Sequence, residues 1–482
     1  MNRTIRHTAI FALVLVLALL ANLTYVQAFT EDRYAHNALN RRQFFETKAI
    51  PRGQISAGGL VLAQSTANQE GQYNRSYQNN PVTVGPVVGY LSDVYGASGL
   101  EEFYNDILNG TDASLTGRRV LDQLAGKKPQ GANLELTINP KVQQVAYDQL
   151  ASQGYEGAAV AIRPSTGEVL AMASTPSFDP NQIVNPATSQ DAWSKLNTDP
   201  GAPLLNHATQ EPLPPGSTFK VITTAAGLDA GYNPNSTVTA APTITLPNTN
   251  TQLENYDGSR CAPGDTTTLS QAFAKSCNTA FVQMGIDAGR DRMLKAAKSF
   301  GVGQAYDLGL PVEKGSLGDI PDDAALGQTS IGQRDVTMSV LQNAVIAATI
   351  ANKGKRMEPH VVSKVLGSNL KPVSTTKPKE LNQAIPEDQA NTIKGLMQGS
   401  EHATSGYAGQ DIASKTGTAE HGDPANPVPP HVWYIAFGPS ENADVAVAVV
   451  VKDGGHLGQK ATGGAVAAPI GRAIIQAALG SQ

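Results

Sequence analysis

Ser217 and Lys220 stand three residues apart, directly after Pro214-Pro215-Gly216 and ahead of the apolar run Val221 to Leu228. Two prolines and a glycine stop any preceding element, so the pattern predicts a helix whose first turn begins at Ser217. One helical turn sets an amine beside a hydroxyl on the same face. A serine hydroxyl is a poor nucleophile until a base takes its proton, and a lysine can do so when burial and neighbouring cations lower its pKa. The positive end of the helix dipole favours a developing alkoxide or oxyanion. This chemistry is nucleophilic acyl transfer.

The S-x-x-K pattern alone is weak, since it recurs at Ser368 with Lys371 and at Ser374 with Lys377, in a Pro- and Lys-rich polar stretch that reads as loop. Two further motifs add weight. Ser276-Cys277-Asn278 falls at a boundary between two helical segments, and Lys415-Thr416-Gly417-Thr418 lies in a strand-like run. A second S-x-N, Ser440-Glu441-Asn442, fits a turn between strands and comes after the K-T-G. Only Ser217, Ser276 and Lys415 satisfy the order S-x-x-K, S-x-N, K-T-G. Each residue also has an ordinary structural reading: Ser276 and Asn278 as caps of the following helix, Lys415 as a solvated strand-end charge, Thr416 and Thr418 as strand formers.

The elements that must position these groups can be read along the chain. The 482 residues, 40% hydrophobic and 16% charged, suffice for two or three domains. A net charge of −5 shows no basic stripe, so nucleic acid is not an expected partner, and the eight scattered histidines show no paired metal spacing. We expect no metal and no cofactor.

An uncharged apolar run from Thr8 to Thr30 follows Arg3, Arg6 and His7 and precedes Glu31 and Asp32. That predicts a single membrane span over residues 1–29 with a cytoplasmic N-terminus and an extracytoplasmic bulk. A cleaved signal peptide ending near Val26-Gln27-Ala28 is the competing reading, and the length of the run favours a retained anchor.

Residues 30–153 read as a non-catalytic first unit. Thr66 to Asn80 reads as an exposed loop, Val82 to Tyr95 as short strands, Gly99 to Leu108 as one amphipathic helix, Leu134 to Ile138 as a strand and Pro140 to Leu150 as a helix. Residues 154–482 form the expected catalytic domain. It opens on a hairpin, Ala158–Ile162 and Val169–Ala173, and returns to strands at Ile412–Ala419, Val432–Phe437 and Val445–Val451 before a final helix, Ile470–Leu479. The fold class expected is α/β (α+β): a mostly antiparallel sheet built from segments of both ends and covered by helices.

Cys261 and Cys277 are the two cysteines, and both fall in the part expected outside the membrane. A disulfide is expected between them, with two unbridged buried thiols as the alternative; it would close a loop of about 15 residues, contribute roughly 3 kcal/mol, and brace the middle of Ser276-Cys277-Asn278.

With these motifs in place, the chain resembles the class B penicillin-binding proteins, closest to the actinobacterial A type. The resemblance runs from the anchor through Arg52-Gly53-Gln54-Ile55, Gly157 to Pro180, Pro214 to Lys220 and Ser330-Ile331-Gly332-Gln333 to Lys415-Thr418. Ser56-Ala57-Gly58-Gly59 stands where many relatives have an Asp-Arg pair, and Arg334 stands where a glycine often follows S-I-G-Q.

The resemblance implies a D,D-transpeptidase with a penicillin-binding and serine beta-lactamase-like fold. Ser217 is the implied nucleophile toward the D-alanyl-D-alanine carbonyl of a peptidoglycan stem peptide, and Lys220 its base. Ser276 is the implied proton relay, with Asn278 and Lys415 orienting the network. Backbone N–H groups of Ser217 and Thr418 would form the oxyanion hole, and Thr416, Gly417 and Thr418 would bind the substrate carboxylate along the strand.

Beta-lactams are the implied inhibitors, and an integral-membrane glycan polymerase with division or elongation proteins the implied partners. Roughly 120 residues between anchor and catalytic domain are too few for a glycosyltransferase. The chain ends in the final core helix, leaving no room for a C-terminal wall-binding repeat. A D,D-carboxypeptidase or beta-lactamase-type hydrolase, and a non-catalytic beta-lactam sensor or scaffold, remain as alternatives. No E-x-x-L-N places a deacylating water.

Overall fold

The computed structural model describes residues 2–29, 48–115, 126, 129–422 and 426–481. The expected boundary at 29/30 therefore abuts residues outside those described. Helix α1 (Asn2–Phe29) carries an apolar window, Ile5–Val26, of mean hydropathy 2.5 with none of it buried. At 1.5 Å per residue it is long enough to cross a bilayer.

Strands β1 (Ile55–Ala57) and β2 (Leu60–Ala67) form a hairpin closed by Gly58 and Gly59, both at positive φ. A two-residue turn of that hand accommodates glycine without strain, which accounts for the Gly-Gly at this position. Strand β3 (Tyr73–Tyr77) pairs antiparallel with β2, so the expected loop at 66–80 is instead part of a hairpin, with loop only at 68–72 and 78–80. Its polarity misleads because the buried positions of β3 are Arg75 and Tyr77. Arg75 and Arg52 flank the fully buried Glu101 carboxylate at 2.5 and 2.7 Å.

The expected strands at 82–95 are replaced by helix α2 (Pro81–Val88) and a short strand pair, Leu91–Ser92 with Gly96–Ala97. Pro81 sits in the first turn, where its missing N–H costs nothing. Burial of Val84, Val87 and Val88 overrides their strand preference. The single helix expected at 99–108 is two, Gly99–Phe103 and Asn105–Asn109, broken at Tyr104.

Strand β4 (Asn133–Leu136) and helix α3 (Pro140–Ala151) follow, the latter capped by the Asn139 side chain. Strands β5 (Gly157–Ile162) and β6 (Val169–Thr175) are buried on both faces, which explains their continuous apolar sequence. A 3₁₀ turn, Gly216–Phe219, runs into α4 (Lys220–Asp229). Helices α5 (Leu269–Lys275), α6 (Asn278–Ala288) and α7 (Val340–Ala351) come next, and a Ser339–Gln342 capping box starts α7.

The chain continues through β7 (Val362–Leu366), β8 (Pro372–Thr375) and α8 (Glu387–Ala403). It ends in β9 (Ala413–Ala419), β10 (His431–Gly438), β11 (Val445–Val451) and α9 (Ala468–Leu479).

Two main sheets result. The first has the order β8-β7-β4-β1-β2-β3, so strands from the far half of the chain complete the sheet of the N-terminal unit. The second has the order β9-β10-β11-β5-β6 and is antiparallel throughout. One face of this sheet packs on α7 and the helices around Phe219 and Phe281. The other face packs on α3 and α9 through Val142, Leu150, Ile470 and Ile474. Segments from both ends thus build the sheet, as expected, and β9 lies at its edge beside the 3₁₀ turn.

Candidate active site

Ser217 lies inside the 3₁₀ turn, and the α-helix expected from Ser217 begins at Lys220. Three residues per turn align positions i and i+3, so this tighter start stacks Ser217 and Lys220 along one side. The preceding loop is tied down on several sides. The Trp433 indole N–H donates to Pro214 O over 2.9 Å, Gly216 N–H to Gly332 O over 3.0 Å, and Thr218 Oγ1 reaches both Pro215 O and Asn343 Oδ1 at 3.0 Å.

Gly216 has φ +53, and a Cβ there would sit 2.8 Å from Thr418 O. Gly332 has φ +69, and a Cβ there would sit 2.2 Å from Gly216 O. Only residues without a side chain let these three backbones meet. Ser217 is partly exposed, and among the described residues no hydrogen bond reaches its hydroxyl.

The Lys220 amino group is buried and donates to Ser276 O and Asn278 Oδ1, both at 2.7 Å, with Ser276 Oγ at 3.2 Å. Burial, reinforced by the nearby Lys415 charge, pushes Lys220 well below the usual lysine range. A neutral amine has two N–H groups and one lone pair. Two acceptors that carry no proton, Ser276 O and Asn278 Oδ1, can take both N–H groups, which leaves the lone pair to receive a hydroxyl proton. The Phe281 ring lies 5.3 Å from the same nitrogen.

Ser276 ends α5 in the left-handed conformation, φ 59, and Cys277 then starts α6. This reversal turns both the carbonyl and the hydroxyl of Ser276 toward Lys220. The Lys415 amino group, also buried, donates to Ser276 Oγ at 2.8 Å and to Thr416 O at 2.9 Å, and burial lowers its pKa to about 7. Asn278 is fixed at its other end by a 2.9 Å bond from Nδ2 to Glu254 O.

On β9, Gly417 faces the nucleophile loop, where a Cβ would meet Pro215 O at 2.8 Å. Thr416 and Thr418 alternate onto the opposite face and are partly exposed. Cys261 and Cys277 form a disulfide, so the residue between Ser276 and Asn278 is covalently held.

Of the eight non-cysteine residues expected at the site, Lys220, Ser276, Asn278 and Lys415 are joined by hydrogen bonds, Gly417 lies against the loop that carries Ser217, and Thr416 and Thr418 follow on the same edge strand. The other S-x-x-K serines lie elsewhere: Ser368 is in a turn and Ser374 in β8, a strand rather than the expected loop. Sequence reasoning missed Glu254, Asn343 and Trp433, which act through side-chain or carbonyl contacts that no local pattern announces. Arg334, which departs from the usual glycine, has φ 64, the backbone hand glycine takes freely. Beside it, the Gln333 side-chain amide lies against the Glu420 backbone just past β9, and with its oxygen turned toward Glu420 N (3.2 Å) and its nitrogen toward Glu420 O (3.1 Å) it would clasp that end of the strand.

Residues 157–476 match the penicillin binding protein transpeptidase domain, and residues 52–134 the penicillin binding protein A dimerisation domain. The chain belongs to the penicillin-binding protein transpeptidase family.

Among its relatives, the peptidoglycan D,D-transpeptidase PbpA of Mycolicibacterium smegmatis is 47% identical over 99% of both chains. The protein of the same name from Mycobacterium tuberculosis is 46% identical over 99% of both. Penicillin-binding protein A from M. tuberculosis, solved as its penicillin G acyl-enzyme complex, superposes with a TM-score of 0.85 at 48% identity, covering 89% of this chain and 100% of that one. The family assignment brings the ordered Ser217, Ser276 and Lys415 motifs and the fold into one frame: a penicillin-binding transpeptidase domain joined to a smaller N-terminal dimerisation domain.

Proposed function

We propose that the chain is a peptidoglycan D,D-transpeptidase that cross-links stem peptides through an acyl-enzyme on Ser217. The observation that carries this reading is the Ser276 hydroxyl held between the amino groups of Lys220 and Lys415, at 3.2 and 2.8 Å, beside a partly exposed Ser217.

In acylation, the Lys220 lone pair takes the Ser217 proton as Oγ bonds to the penultimate D-alanine carbonyl carbon. The carbonyl oxygen becomes an oxyanion between the backbone N–H groups of Ser217 and Thr418. Collapse breaks the peptide C–N bond, and Ser276 passes a proton to the departing D-alanine nitrogen, drawing on Lys220. The substrate carboxylate lies along β9 at Thr416 and Thr418, with Gly417 permitting close approach. An amine from a second stem peptide then attacks the ester, returns a proton to Ser217, and leaves a cross-link. A beta-lactam enters the same first step; its amide nitrogen stays tethered after the ring opens.

The anchor supports a membrane-bound protein, and in our reading α1 spans with its N-terminus cytoplasmic. The units are residues 1–29 as anchor, 30–153 as dimerisation or pedestal-like domain and 154–482 as catalytic domain. An integral-membrane glycan polymerase and division or elongation proteins are the partners this arrangement suits.

The test is incubation of the protein with labelled penicillin and with paired stem peptides. Wild type is expected to give a covalent adduct and cross-linked dimers, and Ser217→Ala neither. An equal adduct on Ser217→Ala overturns the mechanism, and hydrolysed monomers without dimers overturn transfer in favour of hydrolysis.

A further inference from the structure

One hairpin loop away from Thr418, three side chains converge that the acyl-transfer chemistry leaves unused. His431 opens β10 and pairs directly with Ala419, the last residue of β9. His421 lies in the loop between these strands. Asp453, two residues past β11, turns toward both from a left-handed conformation, φ 50. His421 Nε2 lies 3.0 Å and His431 Nδ1 3.6 Å from the same oxygen, Asp453 Oδ1. Ligand atoms of all three residues fall within 4.8 Å of one another.

The hydrogen-bond inventory of this cluster is unbalanced. The Asp453 backbone N–H donates to His431 Nδ1 at 3.3 Å, so that nitrogen is the unprotonated one, and a cation bound there would replace this long bond. Pro429 O, 2.9 Å from His421 Nε2, adds another acceptor. Two acceptors, Asp453 Oδ1 and Pro429 O, thus face a single ring nitrogen of His421 that can supply at most one proton. The nearest lysine does not help, because Lys452 is turned to Glu211 at 2.6 Å.

We propose that His421, His431 and Asp453 form a binding site for a divalent transition-metal cation of the zinc type. Bonds of 2.0–2.1 Å in a tetrahedron separate ligand atoms by ~3.3 Å, close to the 3.6 Å between His431 Nδ1 and Asp453 Oδ1. Three protein ligands leave a fourth position for water or Pro429 O. The two rings are stacked at 3.8 Å with planes 11° apart, so coordination requires the His421 ring to swing out of the stack. Its side chain is 24% exposed and sits in a loop, which gives it that freedom. The bound cation would staple the β9–β10 loop to the turn after β11, and so fix the end of the strand that carries Thr418.

The experiment uses the full chain in detergent, stripped with a chelator and dialysed against zinc chloride, with bound metal counted by elemental analysis. One zinc per chain at micromolar free zinc is expected. His421→Ala and Asp453→Asn are each expected to weaken binding at least tenfold. Asparagine tolerates the left-handed backbone at 453, so the fold persists, and both variants should react with labelled penicillin as wild type does in the absence of metal. Wild type that binds less than a tenth of an equivalent overturns the site, as do variants that bind zinc as tightly as wild type.

Discussion

Lys415 donates to Ser276 Oγ over 2.8 Å although 139 residues separate them. The contact joins the edge strand of the sheet to the junction between α5 and α6, and it places the Lys415 charge where, after burial itself, it is the second influence lowering the Lys220 pKa. With Lys415 charged, a second ammonium at Lys220 is disfavoured, which keeps the base free of its proton.

Replacing Lys220 by methionine retains most of the buried volume and removes the base. Acylation by labelled penicillin, followed by stopped-time gel fluorescence, should slow about 10²–10⁴-fold. Near-wild-type thermal unfolding of the same variant would separate a chemical defect from a folding one.

The acylation rate should follow a bell-shaped pH profile. A lysine held below its usual range acts as a base only above its own pKa, so the rising limb reports Lys220 losing its proton. The falling limb reports Lys415, whose pKa is about 7, losing the charge that holds the network. Arginine does not deprotonate in this range, so Lys415→Arg should lower the rate through its changed shape and remove the limb near neutrality. A falling limb unchanged in that variant would show that another group sets it.

Gly332→Ala forces a methyl to within 2.2 Å of Gly216 O at a position with φ +69. Acylation should fall at least tenfold, because the displaced backbone is the loop that presents Ser217. Arg334→Gly, two residues on, relieves a left-handed arginine and should change stability by about +1 kcal/mol, read as a higher unfolding midpoint with acylation preserved.

Glu101→Gln leaves Arg52 and Arg75 buried without a counter-charge. A loss of about 3–5 kcal/mol is expected in chemical denaturation. A midpoint within error of wild type would show that the two guanidinium groups are neutralised elsewhere.

The cleft was readable because its residues are fixed in chain order by chemistry: Ser217 with Lys220, Ser276 with Asn278, and Lys415 to Thr418 each carry a local pattern. The hairpin β5–β6 and strands β10 and β11 were readable because burial on both faces makes them nearly continuously apolar, whereas β9 was readable through its Lys415-Thr416-Gly417 pattern. The first unit was harder. In β3, Arg75 occupies a core position and disguises a strand as a loop, while in α2 valine-rich sequence is driven helical by burial on several sides. Gly332 matters only through its approach to Gly216, a tertiary meeting over more than a hundred residues, and Asn343 and Glu254 likewise act at a distance in sequence. Such positions acquire meaning only once the chain has closed on itself.

The pairing of β4 with β7 sets Leu134 against Val365 in the first sheet. A chain synthesised from its N-terminus has β1 to β4 in hand long before the residues that close their free edge exist. That sheet is complete only once Thr375, the last residue of β8, has emerged. Biogenesis is therefore a waiting problem: the early strands must be kept from foreign partners until the catalytic half is largely made, and the two halves mature together.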